Sequence, residues 1–583
     1  MSPSFDLVSI LVLAAVGVSH STEVIEPDAV APGTAGVCIT EMDGGELVEI
    51  PLTVIGSLGP TGPEREMVLV RLEDPRYEKT GIIAGMSGSP VYVDGRLLGA
   101  LAFGWTFSKE PIGGVTPFSR MQQLQPAARG PGEAGGVRPQ LADILVAGRE
   151  GALGDLLVDW LLPGPRAALH RLPVTVSLGN WWSPTGSEWL AEGWRRLGWV
   201  AAPGGAASDG SASGPLRPGA MVAGVMVDGD AVLAAGGTVT EIRGDQIWAF
   251  GHPFLGAGDV DMPLARARVL TVLPSQAESF KFFQVGEIIG ALRSDRTHGV
   301  WGEIGSPASM VPVVVTVDDR EYVFRSLRHP VLMPLITAYL TQASLTARGR
   351  AFGNQTVALA IEIEYPDGLG AGLGETYASG QAPQDAAAMV GAAVGYLENS
   401  PFEGPDIERV RIRVDTTERL ERAAVVDAIP ERVVVQPGEM LGVRLRVRPY
   451  RGDEYTRLTE IRIPPELPEG RLDLVVADGA SWTVYDFQMR PTSPASFVDE
   501  LDLFERLVPS NRVVLALERR QASVSLEGGN VSLPPSLVVQ LRTALGPNLQ
   551  TSEYGVVERV EEEMPTSVLG AQRVALTVRL GRK

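Results

Sequence analysis

A chain of 583 residues is too long for one hydrophobic core, so two to four domains are expected. With 44% hydrophobic and 21% charged residues it has the balance of a globular protein, not a disordered one. A formal charge of −20 opposes nucleic-acid binding, which needs a basic face, and a single cysteine, Cys38, excludes an intrachain disulfide or a thiolate cluster.

Along the chain, the first element is an apolar run over 7–18, too short to span a bilayer and followed by the small residues Val18-Ser19-His20-Ser21. Residues 1–21 read as a secretory signal peptide, although Met1 to Asp6 holds no Lys or Arg. An exported protein, periplasmic or extracellular, is expected, with no transmembrane span after this segment. Residues 330–345 come closest to one, but Gln342 and several hydroxyls suit a core helix better.

Residues 30–125 read as short strands with tight turns, and 129–138 as a Gly-rich loop. A mixed segment comes next, in which Leu190, Trp194 and Leu197 share a helical face behind a Ser187 cap. After a second loop at 203–219, strands return from Met221 to Val317, and a helix is expected within 331–346. The Gly-rich stretch 366–382 reads as a domain boundary, with a small helix over 384–397. In Val443-Arg444-Leu445-Arg446-Val447-Arg448 every second residue is apolar, the pattern of a strand with one wet face. With 410–414, 433–435 and 461–463 it predicts an antiparallel β-sandwich, then a helix carrying Phe497, Leu501, Phe504 and Leu507, a strand over 512–517 and a helix over 535–545. The expected division is a peptidase-like unit over 30–346 with 126–214 intervening, a linker and small helix over 347–399, and a β-rich unit over 400–583.

The most informative motif is Gly85-Met86-Ser87-Gly88-Ser89-Pro90, which runs into a hairpin turned by Asp94-Gly95. Glycines on both sides of Ser87 let the backbone bend sharply and leave room for a substrate carbonyl. In such a bend the amides of Gly85 and Ser87 can point the same way, as an oxyanion hole requires. Ser89, next to Pro90 and without glycines on both sides, is the less suited hydroxyl.

A serine needs a base to take its proton. The chain has five histidines: His20, His170, His252, His298 and His329. His20 lies in the signal region, His170 lacks supporting context, His329 precedes Pro330 at a helix entry, and His298 reads as a turn residue held in reserve. His252 closes the strand 247–250, with Gly251 and Pro253 expected to hold it in extended geometry. The orienting carboxylate is left open between Asp74, thirteen residues before Ser87, and Asp259 or Asp261 just after the histidine. As a metal site, His252 with those two acids is a thin ligand set, and no cofactor motif is found.

The stretch Gly81-Ile82-Ile83-Ala84-Gly85-Met86-Ser87-Gly88-Ser89-Pro90, with Asp74-Pro75-Arg76 upstream, resembles the serine block of the stage IV sporulation protein B (SpoIVB-type) peptidases. Gly251-His252 with Asp259-Val260-Asp261 resembles that family's histidine block, and the segments from Lys281 to Gly290, Ser294 to Arg296 and Gly299 to Gly302 resemble the part of the family just downstream of that block. The resemblance implies a mainly β, trypsin-like barrel and a triad of His252 as base, Asp74 as orienting acid and Ser87 as nucleophile. In the family the histidine block comes first, so a circular permutation is implied here. By the trypsin-like layout, Ala102, Phe103 and Gly104 would pair with an extended substrate. Met86 stands where trypsin-like enzymes usually carry Asp, so activation by a buried new amino terminus is not implied.

The function expected is a serine endopeptidase acting on proteins or peptides, with autoprocessing as a further option. The rival is a non-catalytic envelope binding protein that keeps the barrel. For the Arg-alternating strand a solvated face is expected, and for Trp181-Trp182 a place in the core.

Overall fold

The computed structural model describes residues 23–59, 66–105, 107–124, 137–163, 174–177, 188–202, 205–206, 216–276, 279–347, 353–489, 494–526, 529–545 and 551–580. The signal segment, His20, His170, Trp181, Trp182 and the Ser187 cap lie outside them.

The chain is mainly β, as its alternating and turn-rich sequence predicts. Six strands form a first closed barrel: β1 (Ala35–Glu41), β2 (Leu47–Leu58), β3 (Met67–Leu72), β4 (Ser89–Val93), β5 (Arg96–Phe103) and β6 (Ile112–Pro117), in the order β1-β2-β3-β6-β5-β4. The Asp94-Gly95 hairpin joins β4 to β5, with both turn residues at positive φ, as a tight two-residue hairpin demands. Cys38, Ile50, Val70, Val91 and Leu101 fill its core. Cys38 is thus a small buried apolar residue, and burial pushes its thiol up to about 12.

A second ring is built from β7 (Met221–Gly229), β8 (Leu233–Arg243), β9 (Gln246–Ala249), β10 (Gly258–Leu273), β11 (Phe280–Arg296) and β12 (Gly299–Ile304). Each strand pairs with the next around the circuit β7-β8-β9-β12-β11-β10, and β10 pairs back to β7. Residues Met221–Val227 of β7 are buried without alternation, because both faces of the strand are covered. The rings pack on one another through Ile39, Tyr92 and Leu97 of the first and Trp248 and Trp301 of the second. Ala84 and Phe280 form a bridge between them.

From β7 the sheet continues through strands Arg320–Leu327, Met310–Val317, Arg409–Thr417, Gln355–Glu364 and Gly370–Ser379. Two apolar helices, Leu332–Thr346 and Ala382–Glu398, are almost wholly buried in the large core against it. Two expectations change here. The Gly-rich stretch at 366–382 contains a regular edge strand, since a backbone ladder tolerates glycine where few side chains must pack. Strand 409–417 belongs to this sheet, parallel to Met310–Val317, and not to the C-terminal sandwich.

Beyond it two further sheets face each other over a common core of Leu441, Val443, Leu445 and Val447 from one and Leu472, Leu474, Val513 and Leu515 from the other. Arg444, Arg446 and Arg448 lie on the exposed face of their strand, as the alternation predicts. The helix carrying Phe497, Leu501 and Phe504 packs into the large core, not the sandwich. No helix among the described residues is long and apolar enough to cross a membrane.

Candidate active site

The turn before β4 holds Ser87. Gly85 and Gly88 both adopt φ of +96°, a conformation that L side chains rarely take. At Gly88 a Cβ would fall 2.0 Å from the Thr238 carbonyl oxygen and 2.5 Å from the Phe250 nitrogen, so this glycine permits direct backbone contact between the two rings. Strand β8 binds the turn closely. The Thr238 amide donates to the Ser87 carbonyl (2.7 Å), its hydroxyl to the Gly85 carbonyl (2.9 Å), and the Thr240 hydroxyl to the Gly88 carbonyl (2.8 Å). Sequence reasoning passed over both threonines, because nothing in a strand's own pattern says which carbonyls its hydroxyls will meet.

His252 arrives from the second ring. Phe250 and Gly251 after β9 both have left-handed φ, 68° and 67°. The chain therefore turns sharply between the end of the strand and His252. A Cβ on Gly251 would come within 2.7 Å of the Ala100 Cβ, and the Gly251 carbonyl accepts from the Thr116 hydroxyl at 2.6 Å, which ties the turn to the first barrel.

The two halves meet. His252 Nε2 lies 2.8 Å from Ser87 Oγ, and Nδ1 lies 2.9 Å from the Pro253 carbonyl oxygen. A carbonyl can only accept, so Nδ1 carries the proton and donates it. Nε2 is left with its lone pair toward the serine hydroxyl, the tautomer that a base requires.

Asp74 makes its hydrogen bonds to Arg76, and none to His252 among the described residues. Its carboxylate takes a side-chain fork from Arg76, with Nη2 to Oδ2 at 2.6 Å, and also accepts the Arg76 amide at 2.9 Å. These contacts with a neighbouring cation hold it below the usual carboxylate range. Asp259 pairs with Arg296 at 2.8 Å, and Asp261 with Arg293 and the Ser309 amide. All three acids considered from sequence are thus bound by arginines.

The carboxylate that does reach the histidine loop is Asp295, near the end of β11. It is 2% exposed and accepts the amides of Phe254, Leu255, Gly256 and Ala257 at 2.7–3.3 Å. Burial pushes its pKa up, against the four amides that draw it down. It fixes the backbone immediately after His252. Within the sequence it is one acid in Ser294-Asp295-Arg296, with no local sign that four amides forty residues away converge on it.

The remaining candidates are arranged around this pair. The Met86 amide donates to Ile83, that of Gly88 to Leu101 and that of Ser89 to Met86, whereas those of Gly85 and Ser87 donate to no acceptor among the described residues. On β5 the ladder with β4 ends at Leu101, opposite Ser89, so Ala102, Phe103 and Gly104 have no strand partner on that side among the described residues. His298 sits in the turn between β11 and β12, and His329 Nδ1 accepts the amides of Val331 and Leu332 at the entry of the next helix. No group of three or more potential metal ligands occurs among the described residues.

Residues 13–116 match the family described as SpoIVB peptidase S55. The match spans the first barrel with Ser87 and Asp74, and supports a serine peptidase function in the broad sense, with proteins as substrates. His252 and Asp295 lie beyond the matched stretch. No match was found among curated proteins or among solved structures.

Proposed function

We propose that this protein is a serine endopeptidase that works through an acyl-enzyme, with Ser87 as nucleophile and His252 as its base. The observation that carries the reading is the 2.8 Å contact between Ser87 Oγ and His252 Nε2, with Nδ1 committed as a donor to Pro253. As Oγ bonds to the scissile carbonyl carbon, its proton passes to Nε2. The imidazolium then gives that proton to the leaving amine as the carbon–nitrogen bond breaks. Water repeats the sequence and restores the free hydroxyl.

The Gly85 and Ser87 amides would receive the oxyanion, and losing one such donor typically costs about 3–4 kcal/mol of barrier. Asp295 takes over part of the role that the resemblance gives Asp74: through the four amides it accepts, it holds the histidine loop in place. The unpaired side of residues 102–104 would accept an extended substrate as an added strand. The apolar segment at 7–18 supports an exported enzyme, which cell fractionation of the full chain checks.

A second reading, a non-catalytic binding protein, draws on one observation. Ser87 and His252 are 2% and 0% exposed, so a substrate needs local opening to reach them. Hydrolysis of fluorescently labelled casein separates the two. Activity that Ser87→Ala and His252→Ala both abolish supports the peptidase. A folded wild type that leaves casein intact and takes no fluorophosphonate supports the binding protein.

A further inference from the structure

One buried cation takes no part in the mechanism above. Lys281, near the start of β11, has no exposed surface, and its stem lies against the nucleophile turn: a Cβ on Gly85 would be 3.1 Å from Lys281 Cδ. Its ammonium donates to Thr40 Oγ1 at 2.8 Å. Thr40 Oγ1 lies 2.9 Å from Ser89 Oγ, which lies 2.6 Å from the Met86 carbonyl oxygen. Thr40 and Ser89 are both fully buried.

Proton counting gives this chain one direction. The carbonyl can only accept, so the single Ser89 proton goes to it, and the Thr40 hydroxyl supplies the proton between the two hydroxyls. The order is Lys281 ammonium to Thr40 to Ser89 to the Met86 carbonyl. That carbonyl belongs to the same peptide group as the Ser87 N–H. The other expected oxyanion donor is held by the same residue, because the Lys281 backbone amide donates to the Ala84 carbonyl at 3.1 Å, and Ala84 shares its peptide group with the Gly85 N–H.

We propose that Lys281 is a positioning residue for the oxyanion hole, fixing through its backbone and its ammonium the two peptide groups whose N–H donors face the substrate. The inference rests on the peptidase reading above. A peptide carbonyl that accepts a charge-assisted chain has a more polarised N–H at its other end, and its plane cannot rotate away. The second ring thereby sets the electrophilic half of the site as well as supplying the base. Since β11 also carries Asp295, one strand governs both halves.

The test compares wild type, Lys281→Met, Thr40→Val, Thr40→Ser and Ser87→Ala. It measures the rate of labelling by a fluorophosphonate, whose phosphonyl oxygen takes the oxyanion position, and kcat and KM on a fluorogenic casein peptide. Lys281→Met and Thr40→Val are expected to lower labelling rate and kcat by roughly tenfold to a hundredfold with KM little changed, as for a weakened oxyanion site. Thr40→Ser, which keeps the hydroxyl, is expected to restore most of the rate. Should Lys281→Met fail to fold, Thr40→Val against Thr40→Ser carries the comparison. Variants that fold and label at the wild-type rate, or that change KM alone, overturn the inference while leaving the peptidase intact. A wild type that takes no label removes the peptidase reading, and this inference with it.

Discussion

Ser87 and His252, 165 positions apart in the chain, are brought to 2.8 Å by two different barrels. Neither barrel holds both groups, so the contact reports on the interface between them. At the nucleophile turn that interface is backbone against backbone: β8 lies along the turn, and Gly88 leaves no room there for a side chain. In the proposed mechanism, catalysis and ring-to-ring docking are a single property.

Gly88→Ala tests this coupling. The added methyl would sit 2.0 Å from the Thr238 carbonyl at a φ of +96°, so backbone must shift. We expect a loss of roughly 3 kcal/mol or more, at the large end of single substitutions, and no measurable peptidase activity. Thermal unfolding and casein hydrolysis read the two effects. A variant of normal stability and activity would refute the close packing of the rings at this point.

Thr238→Val keeps the shape and removes one hydroxyl. The Gly85 carbonyl then loses its 2.9 Å donor inside the protein. An unsatisfied buried acceptor costs about 1–3 kcal/mol. Because the carbonyl lies in the nucleophile turn, the labelling rate of Ser87 is expected to fall as well, and stability alone should not account for the fall.

The two acids give opposite expectations. Asp74→Asn removes a partner of Arg76 near the surface and should leave kcat within about twofold, as most solvent-screened ion pairs contribute little. Asp295→Asn puts an NH2 group among four amide donors. The histidine loop must then move, and misplacing a catalytic group by an ångström costs roughly a hundredfold. Steady-state kinetics on both variants decides between them; the reverse ranking would return the orienting role to Asp74.

Glu398 gives a pH-dependent stability. Burial raises its carboxyl to about 7 from an ordinary value of 4.5. The folded state therefore binds the proton more tightly than the unfolded one, and this residue's contribution falls as pH rises from about 4.5 to about 7. Glu398→Gln is expected to raise Tm at pH 8 relative to wild type and to leave it nearly unchanged at pH 4.5. Thermal scans at the two values measure this difference, and an equal shift at both would contradict it.

Features of the fold are legible in the sequence where the physics is local. The glycines around Ser87 and Gly251 before His252 stand out because positive φ and close approach demand them within a few residues of the chemistry. The Asp94-Gly95 hairpin and the alternating Arg444 strand are readable for the same reason. The carboxylate that holds the histidine loop is not. Asp74, Asp259 and Asp261 all lie at suggestive spacing, but a carboxylate's partner is chosen by tertiary structure, and each of them meets an arginine. Strand 409–417 alternates as a sandwich strand would, yet its apolar face packs in the large core, since period two identifies a half-buried strand and not its sheet. Lys281 and Thr40 carry no signal of their own, because the chain of hydroxyls that links them to Met86 joins three strands distant in sequence.

The most direct measurement is to treat the folded wild-type protein with a fluorophosphonate and locate the adduct by peptide mass spectrometry. The account predicts one phosphonylated residue, Ser87, whose modification is lost in Ser87→Ala and strongly slowed in His252→Ala. An adduct on a different serine, or a His252→Ala protein that labels as fast as wild type, would contradict it.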